Sequence, residues 1–154
     1  MDVVMSEKPE TILNGHLMAT LKICRLDPQR IENVVGDGTP DIEFIGGWIE
    51  SKVLWEWPKR PDTIVHIRHF TTEQRAWHVR RAAMGGMSFM ALEVENDLLL
   101  LKGDKAARMI GNATRAELLA SAECVCHGPA EARAAEAVRC IRQYVIPMFQ
   151  GHKK

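Results

Sequence analysis

The sequence predicts an α/β fold of the α+β kind, a mixed central β-sheet flanked by helices. Three observations carry that reading. Two pairs of short apolar runs are joined by turn residues, at Gly46-Gly47 and at Glu95-Asn96-Asp97, as in β-hairpins. Between the pairs, Thr71 to Met84 has the punctuation of a capped helix. Both ends of the chain carry helical apolar stripes, so strands and helices alternate along one chain.

In chain order, residues 1–8 read as a loose tail and residues 9–154 as a single domain. Pro9 to about Leu26 is the first helix: Ile12, Leu13, Leu17, Leu21 and Cys24 form a stripe, and Pro9 suits a first turn. Asp27 to Pro40, rich in Gly, Asp and Asn, is irregular. Glu56 to Asp62 is a loop because of its two prolines. Thr63 to Arg68 alternates as a short strand, with Val65 and Ile67 on one face. Thr71 and Gln74 make a capping box, and Gly85-Gly86 ends the helix they open. Its Thr72, Ala76, Val79 and Ala83 are expected to pack on the sheet. Ser88 to Val94 and Leu98 to Leu101 are strands. From about residue 104 the chain is helical: Asp104 to Ile110, Thr114 to Glu123, and Pro129 to Met148, whose Val138, Ile141 and Val145 lie along one side.

Composition bounds the function. The chain has 154 residues, 46% hydrophobic and 26% charged, which suits a globular domain with a core and excludes a disordered chain. No apolar run approaches the roughly 20 residues of a membrane span, and MDVVMSEKPE does not read as a secretory signal. Twenty basic against twenty acidic residues argue against a general polyanion coat but leave room for a local basic patch. Cys24, Cys124, Cys126 and Cys140 form no disulfide framework, so a reducing, cytoplasmic compartment is expected, the host's for a viral protein. Cys124-x-Cys126-His127 lacks the second half of a zinc site and reads as buried thiols.

Chemistry concentrates in Pro40 to Lys52, PDIEFIGGWIESK. Side chains alternate along a strand, so Glu50 and Lys52 share a face. A tight turn at Gly46-Gly47 would pair Ile45 with Trp48, put Asp41 opposite Lys52, and set Glu43 across from Glu50. Like charges directly opposite are destabilising. A bound cation relieves them, because magnesium takes carboxylate and water oxygens. The alternative is an exposed hairpin with a solvated charged face.

The ordered set of a first helix, Pro40-Asp41, Glu50-Ser51-Lys52 on a hairpin, and a helix opening Thr71-x-x-Gln74 and closing at Gly85-Gly86 resembles the PD-(D/E)XK nuclease superfamily. Within it, the likeness is to virus-type Holliday-junction-resolvase-like and VRR-NUC-like nucleases, over roughly Glu10 to Leu101. The resemblance implies a restriction-endonuclease-like core and a Mg²⁺-dependent endodeoxyribonuclease (Mn²⁺ substituting). Branched DNA such as a Holliday junction is the implied substrate, and a homodimer the implied assembly. It implies that Asp41, Glu50 and the Ser51 backbone carbonyl ligate the metal. It also implies that Lys52 positions water and steadies phosphate charge, and that Gln74 completes the site. A further acid is implied on the first helix, where Glu10 fits best; Glu32 is the alternative.

Other residues are read from position alone. Gln74, His78 and Arg81 share a helix face that would supply substrate contacts, and Arg75, Arg80 and Arg81 are expected either to hold backbone phosphates or to form a solvated helix face. Lys59 and Arg60, near Trp55 and Trp57, form a basic and aromatic loop suited to single strands or junctions. His66 and His69 are expected at the surface or beside the site. The last helix offers either a dimer interface or an intramolecular packing face. The competing function is a catalytically inactive nucleic-acid-binding or assembly module on the same fold.

Overall fold

The computed structural model describes residues 8–31 and 38–150, with side chains through Val145. Glu32 therefore lies outside the described residues, as do residues 1–7 and the Met148 side chain. Among the described residues the elements run α1 (Pro9–Ile23), β1 (Gln29–Arg30), β2 (Ile42–Phe44), β3 (Gly47–Leu54), α2 (Thr72–Ala83), β4 (Ser88–Val94), β5 (Asp97–Lys102), α3 (Gly103–Met109), α4 (Arg115–Ser121), β6 (Cys124–Cys126) and α5 (Ala130–Gln150). They build one mixed six-stranded sheet whose strand order follows the chain, β1-β2-β3-β4-β5-β6. Every neighbour is antiparallel except β3 and β4, which run parallel. A parallel pair needs a crossover; the segment from Trp55 through α2 supplies it.

Helices cover both faces. On one, Leu13, Leu17 and Leu21 of α1 meet Ile49, Phe89, Leu98 and Leu100 of the sheet and Val138, Ile141 and Val145 of α5. On the other, Met90, Leu92, Leu99 and Leu101 meet Phe70, Ala106, Ile110 and Leu118. The alternation of strand residues between the two cores is the period of two read from the sequence.

The structure departs from expectation in four places. First, β1 and β6 are extra edge strands. Both β1 residues are exposed, so no apolar pattern marked them. Second, residues 63–68 are not a sheet strand: apart from a single bridge between Ile64 and Thr114, the segment is held by Val65 bonds to Ala113 and Gly111, although Val65 and Ile67 are buried as expected. Third, the hairpin register is shifted. Phe44 faces Gly47 and Ile42 faces Ile49, so the turn is Ile45-Gly46. Gly46 takes the left-handed φ of 104° there. Gly47 belongs to the strand because a side chain on it would strike the Phe44 ring and the Met87 carbonyl.

Fourth, α2 is rotated. Trp77 and His78 face inward, whereas Thr72, Ala76, Val79 and Ala83, the stripe expected to pack, are exposed. One indole against the sheet outweighs several small apolar groups in area buried. Of the two roles open to the last helix, packing within the molecule is the one that the Val138, Ile141 and Val145 stripe of α5 takes, since all three are buried in the core.

Ile141 has no exposed surface, while Ile23 is 82% exposed. Ile141→Ala is expected to cost about 2–5 kcal/mol and Ile23→Ala less than about 0.5 kcal/mol in urea unfolding. A midpoint that rises with protein concentration would mean that α5 is stabilised by a second copy instead.

Candidate functional site

The β2–β3 register decides which acids meet. Asp41 stands one step before the Ile42–Ile49 pair, which continues the ladder opposite Glu50 rather than Lys52. Glu43 lies opposite Trp48 and is exposed, so the carboxylate facing Glu50 is Asp41. β2 is much shorter than β3, and the Asp41 side chain takes over where its backbone stops: Oδ2 accepts the Ser51 amide at 2.9 Å. Its carbonyl meanwhile accepts the Ile31 amide at 2.9 Å, which ties Asp41 to the next segment.

Glu50 and Lys52 point from β3 toward α2 and are almost wholly buried, at 1% and 4% exposure. Lys52 Nζ sits 3.1 Å from Glu50 Oε1 and donates to the His69 carbonyl at 2.9 Å. Gln74 has two roles at once. Its amide and side-chain oxygen complete the capping box with Thr71, and its Nε2 donates to Glu50 Oε1 at 3.2 Å. Gly38, at φ 87°, packs so tightly on the first turn of α2 that a Cβ would collide with the Glu73 carbonyl. The approach to Asp41 and the start of α2 are thereby fixed to one another.

These groups line a polar groove of about 510 Å³ at the free edge of β3. Glu10 of α1 lines it as well, but its Oε1 lies 2.9 Å from His69 Nε2. Ser51 is buried; besides its amide, its hydroxyl is in use, donating to Asn14 Oδ1 at 2.6 Å. Asn14 and Arg30 are site residues that the sequence reading missed. A buried Asn beside Leu13 and Leu17 was the available signal for the first; Arg30, on the exposed β1, left none.

Burial, and then the Asp41 charge, push the Glu50 carboxyl up from 4.5 to about 8, against the pull of Lys52. Asp41 is also raised, chiefly by burial, against its Ser51 hydrogen bond and the positive charge of Arg30. Glu50 Oε2 is buried with no hydrogen-bond partner. An orphaned carboxylate oxygen facing a second carboxylate fits a hard cation. Asp41 and Glu50 are two acids only: among the described residues no cluster of three His, Cys, Asp or Glu side chains is arranged to hold a metal. That donor set suits magnesium, which keeps several of its waters and needs only one or two carboxylates.

The expected phosphate contacts fare differently. Arg75 is spent inside the fold, donating to the Ala107 and Ile110 carbonyls at 2.9 and 2.7 Å with its guanidinium over the Phe70 ring, so it caps the end of α3. His78 has no exposed surface; its Nδ1 is 2.7 Å from Ser88 Oγ, and burial lowers its pKa to about 4. It is a packing group between Phe70 and Trp77, not a strand contact. Arg81 is half-exposed and stacked on Trp48 and Trp77. Lys59 and Arg60 are exposed but do not line the groove, and of their aromatic neighbours Trp57 is buried and Trp55 is 84% exposed. The Cys124 and Cys126 thiols lie 3.5 Å apart, while His127 turns to Asp97.

No protein-family model matches this chain, and no curated protein matches it. No helix among the described residues is long and apolar enough to cross a membrane.

Because the folded Glu50 holds its proton up to about pH 8 and an unfolded one releases it near 4.5, metal-free stability falls as pH rises through that window. The melting temperature in EDTA should drop across it, and Glu50→Gln should flatten the drop. Added Mg²⁺ should raise the wild-type melting temperature more at the alkaline end, where protons no longer compete. Parallel curves for wild type and Glu50→Gln would rule out Glu50 as the source.

Proposed function

We propose that the chain is a divalent-metal-dependent endonuclease that hydrolyses DNA phosphodiester bonds, on a restriction-endonuclease-like core of the PD-(D/E)XK kind. The observation that supports this most is the meeting of Asp41 and Glu50 beside a buried Lys52, with Glu50 Oε2 left without a partner. Each element of the motif could arise by chance. Their convergence on one groove from β2, β3 and α2 is the arrangement that the chemistry needs.

Asp41 and Glu50 would hold the ion, with Glu10 the nearest further acid in the groove. Bound there, Mg²⁺ lowers the pKa of a water ligand and neutralises charge on the phosphate. Lys52 carries three donors. Glu50 and the His69 carbonyl engage two, which leaves one for a water or a phosphate oxygen. Gln74 donates to Glu50 Oε1 as well and so holds the carboxylate in place. Asn14 steadies Ser51 through its hydroxyl, and with it the peptide that Asp41 grips.

The substrate class rests on the resemblance: DNA, with branched forms such as a four-way junction favoured. Symmetric cleavage of a junction calls for two copies, which would have to meet through a surface other than the α5 stripe. One observation favours a second reading, a non-catalytic nucleic-acid-binding module: Glu10 is drawn to His69 rather than to the Asp41–Glu50 pair.

The test is cleavage of linear duplex, single-stranded, flap and four-way-junction DNA with Mg²⁺, Mn²⁺ or EDTA. Wild-type cleavage should require the metal. Asp41→Asn should abolish it while leaving the circular dichroism spectrum unchanged, and Lys52→Ala should lower it by about 100-fold or more. Binding without cleavage by the wild type would favour the second reading. Gln74→Glu separates the two roles of that residue: it keeps the capping box but sets a carboxylate against Glu50, so the helix should persist while Mg²⁺-dependent activity falls.

A further inference from the structure

We propose that a second, shallow groove on α2, walled by Trp77, Arg80, Arg81 and Met84, holds the backbone phosphate of the nucleotide next to the one cleaved. This rests on the nuclease reading of the Asp41–Glu50 site. The groove has a volume of about 280 Å³. Its indole wall, Trp77, is backed by Trp48, the two rings packed edge to face at 5.2 Å. The Arg81 guanidinium lies over both, 4.4 Å from the Trp77 ring and 5.5 Å from the Trp48 ring.

Lying against aromatic rings holds a guanidinium in place without using its N–H donors. Among the described residues neither Arg80 nor Arg81 has a carboxylate within ion-pair reach or a side-chain hydrogen bond. Arg75 in the same helix is the contrast, since its Nη1 donates to two carbonyls. A pre-oriented, unpaired fork next to a second free arginine suits the paired oxygens of a phosphate. Met84, 88% exposed, adds a soft apolar wall of the sort that a sugar or base can rest on.

The stem of Arg81 is also wedged. A Cβ on Gly86 would stand 2.5 Å from Arg81 Cδ and 2.8 Å from its Cγ, so the arginine lies where it does because residue 86 has no side chain.

Position links this groove to the first. Trp48 precedes Glu50 by two residues on the same face of β3, a rise of about 7 Å. Trp77 follows Gln74 by about one helical turn of α2, roughly 5 Å. The two grooves are therefore neighbours along β3 and α2. A strand with its scissile phosphate at Asp41 and Glu50 would bring a neighbouring phosphate to Arg81.

The experiment measures binding of a fluorescein-labelled single-stranded DNA in EDTA, by anisotropy over a range of salt. It compares wild type, Arg80→Ala, Arg81→Ala and Gly86→Ala, each first checked for an unchanged melting temperature. Arg81→Ala should weaken binding and lower the slope of log K against log salt by about 0.7, the value of one phosphate contact on a single strand. Arg80→Ala should do so to a similar or smaller extent. Gly86→Ala keeps both charges but dislodges Arg81, and should follow Arg81→Ala. In parallel Mg²⁺ assays the arginine variants should raise KM severalfold with kcat nearly unchanged, as for a contact made equally in ground and transition states. Unchanged salt slopes in both arginine variants would overturn the groove even if the wild type cleaves DNA. A Gly86→Ala variant that binds like wild type while Arg81→Ala does not would also overturn it, since Arg81 would then act only as diffuse charge. Slopes that fall while the wild type cleaves nothing would keep the groove as a strand contact and remove the nuclease reading instead.

Discussion

The structure around the site depends on one costly act: a carboxylate, Glu50, is carried to 1% exposure inside the sheet layer. An isolated charge there would be expelled or protonated. Each neighbour answers that cost. Lys52 supplies the opposite charge at 3.1 Å, and Gln74 supplies an amide at 3.2 Å. The His69 carbonyl anchors Lys52, so the ammonium cannot swing away. Asp41 does the reverse and adds like charge. A fold under selection for stability alone would have placed an apolar residue at either position, as it did at Ile42 and Ile49 next door. Two acids set against each other at this depth are an arrangement that a cation would relieve.

The same region shows what a sequence can and cannot disclose. Asp41, Glu50, Lys52 and Gln74 were legible because strand parity and the capping box are local rules that survive small errors. The hairpin register was off by two residues, yet a shift of two preserves which face each side chain occupies. Glu50 and Lys52 stayed together, and the error showed only in the partner: Asp41 in place of Glu43. What went wrong in register was Gly47, which looks like a turn residue and is a strand residue crowded by Phe44 and Met87. Nothing local announces a crowd assembled from distant segments.

The helix α2 makes the complementary point. Its start was read correctly from Thr71 and Gln74. Its orientation was not, since a stripe of Ala and Val is a weaker cue than a single Trp. With Trp77 turned inward, His78 follows it into the core beside Ser88, while Gln74 and Arg81 on the same side of the helix stay partly exposed in the two grooves. Arg75 likewise left no sign that it would cap α3. The edge strands β1 and β6 were invisible for a simpler reason: they are two and three residues long. The α5 stripe was legible as a stripe, but a periodic pattern cannot say whether its partner is the same chain or another.

The strand order of the sheet, which follows the chain from end to end, bears on how the protein comes to be folded. Contacts between neighbours in sequence close small loops and cost little entropy. The long connections are residues 103–123 between β5 and β6 and the crossover between β3 and β4, and that crossover carries Gln74, Lys52's anchor at His69, and Trp77. Apart from what α1 and β1 add, the groove is assembled from one unbroken stretch, Asp41 to Gln74. On a nascent chain that stretch is complete before β5, β6 and α5 exist. A groove drawn largely from one stretch of chain needs few distant segments in place before its pieces can meet.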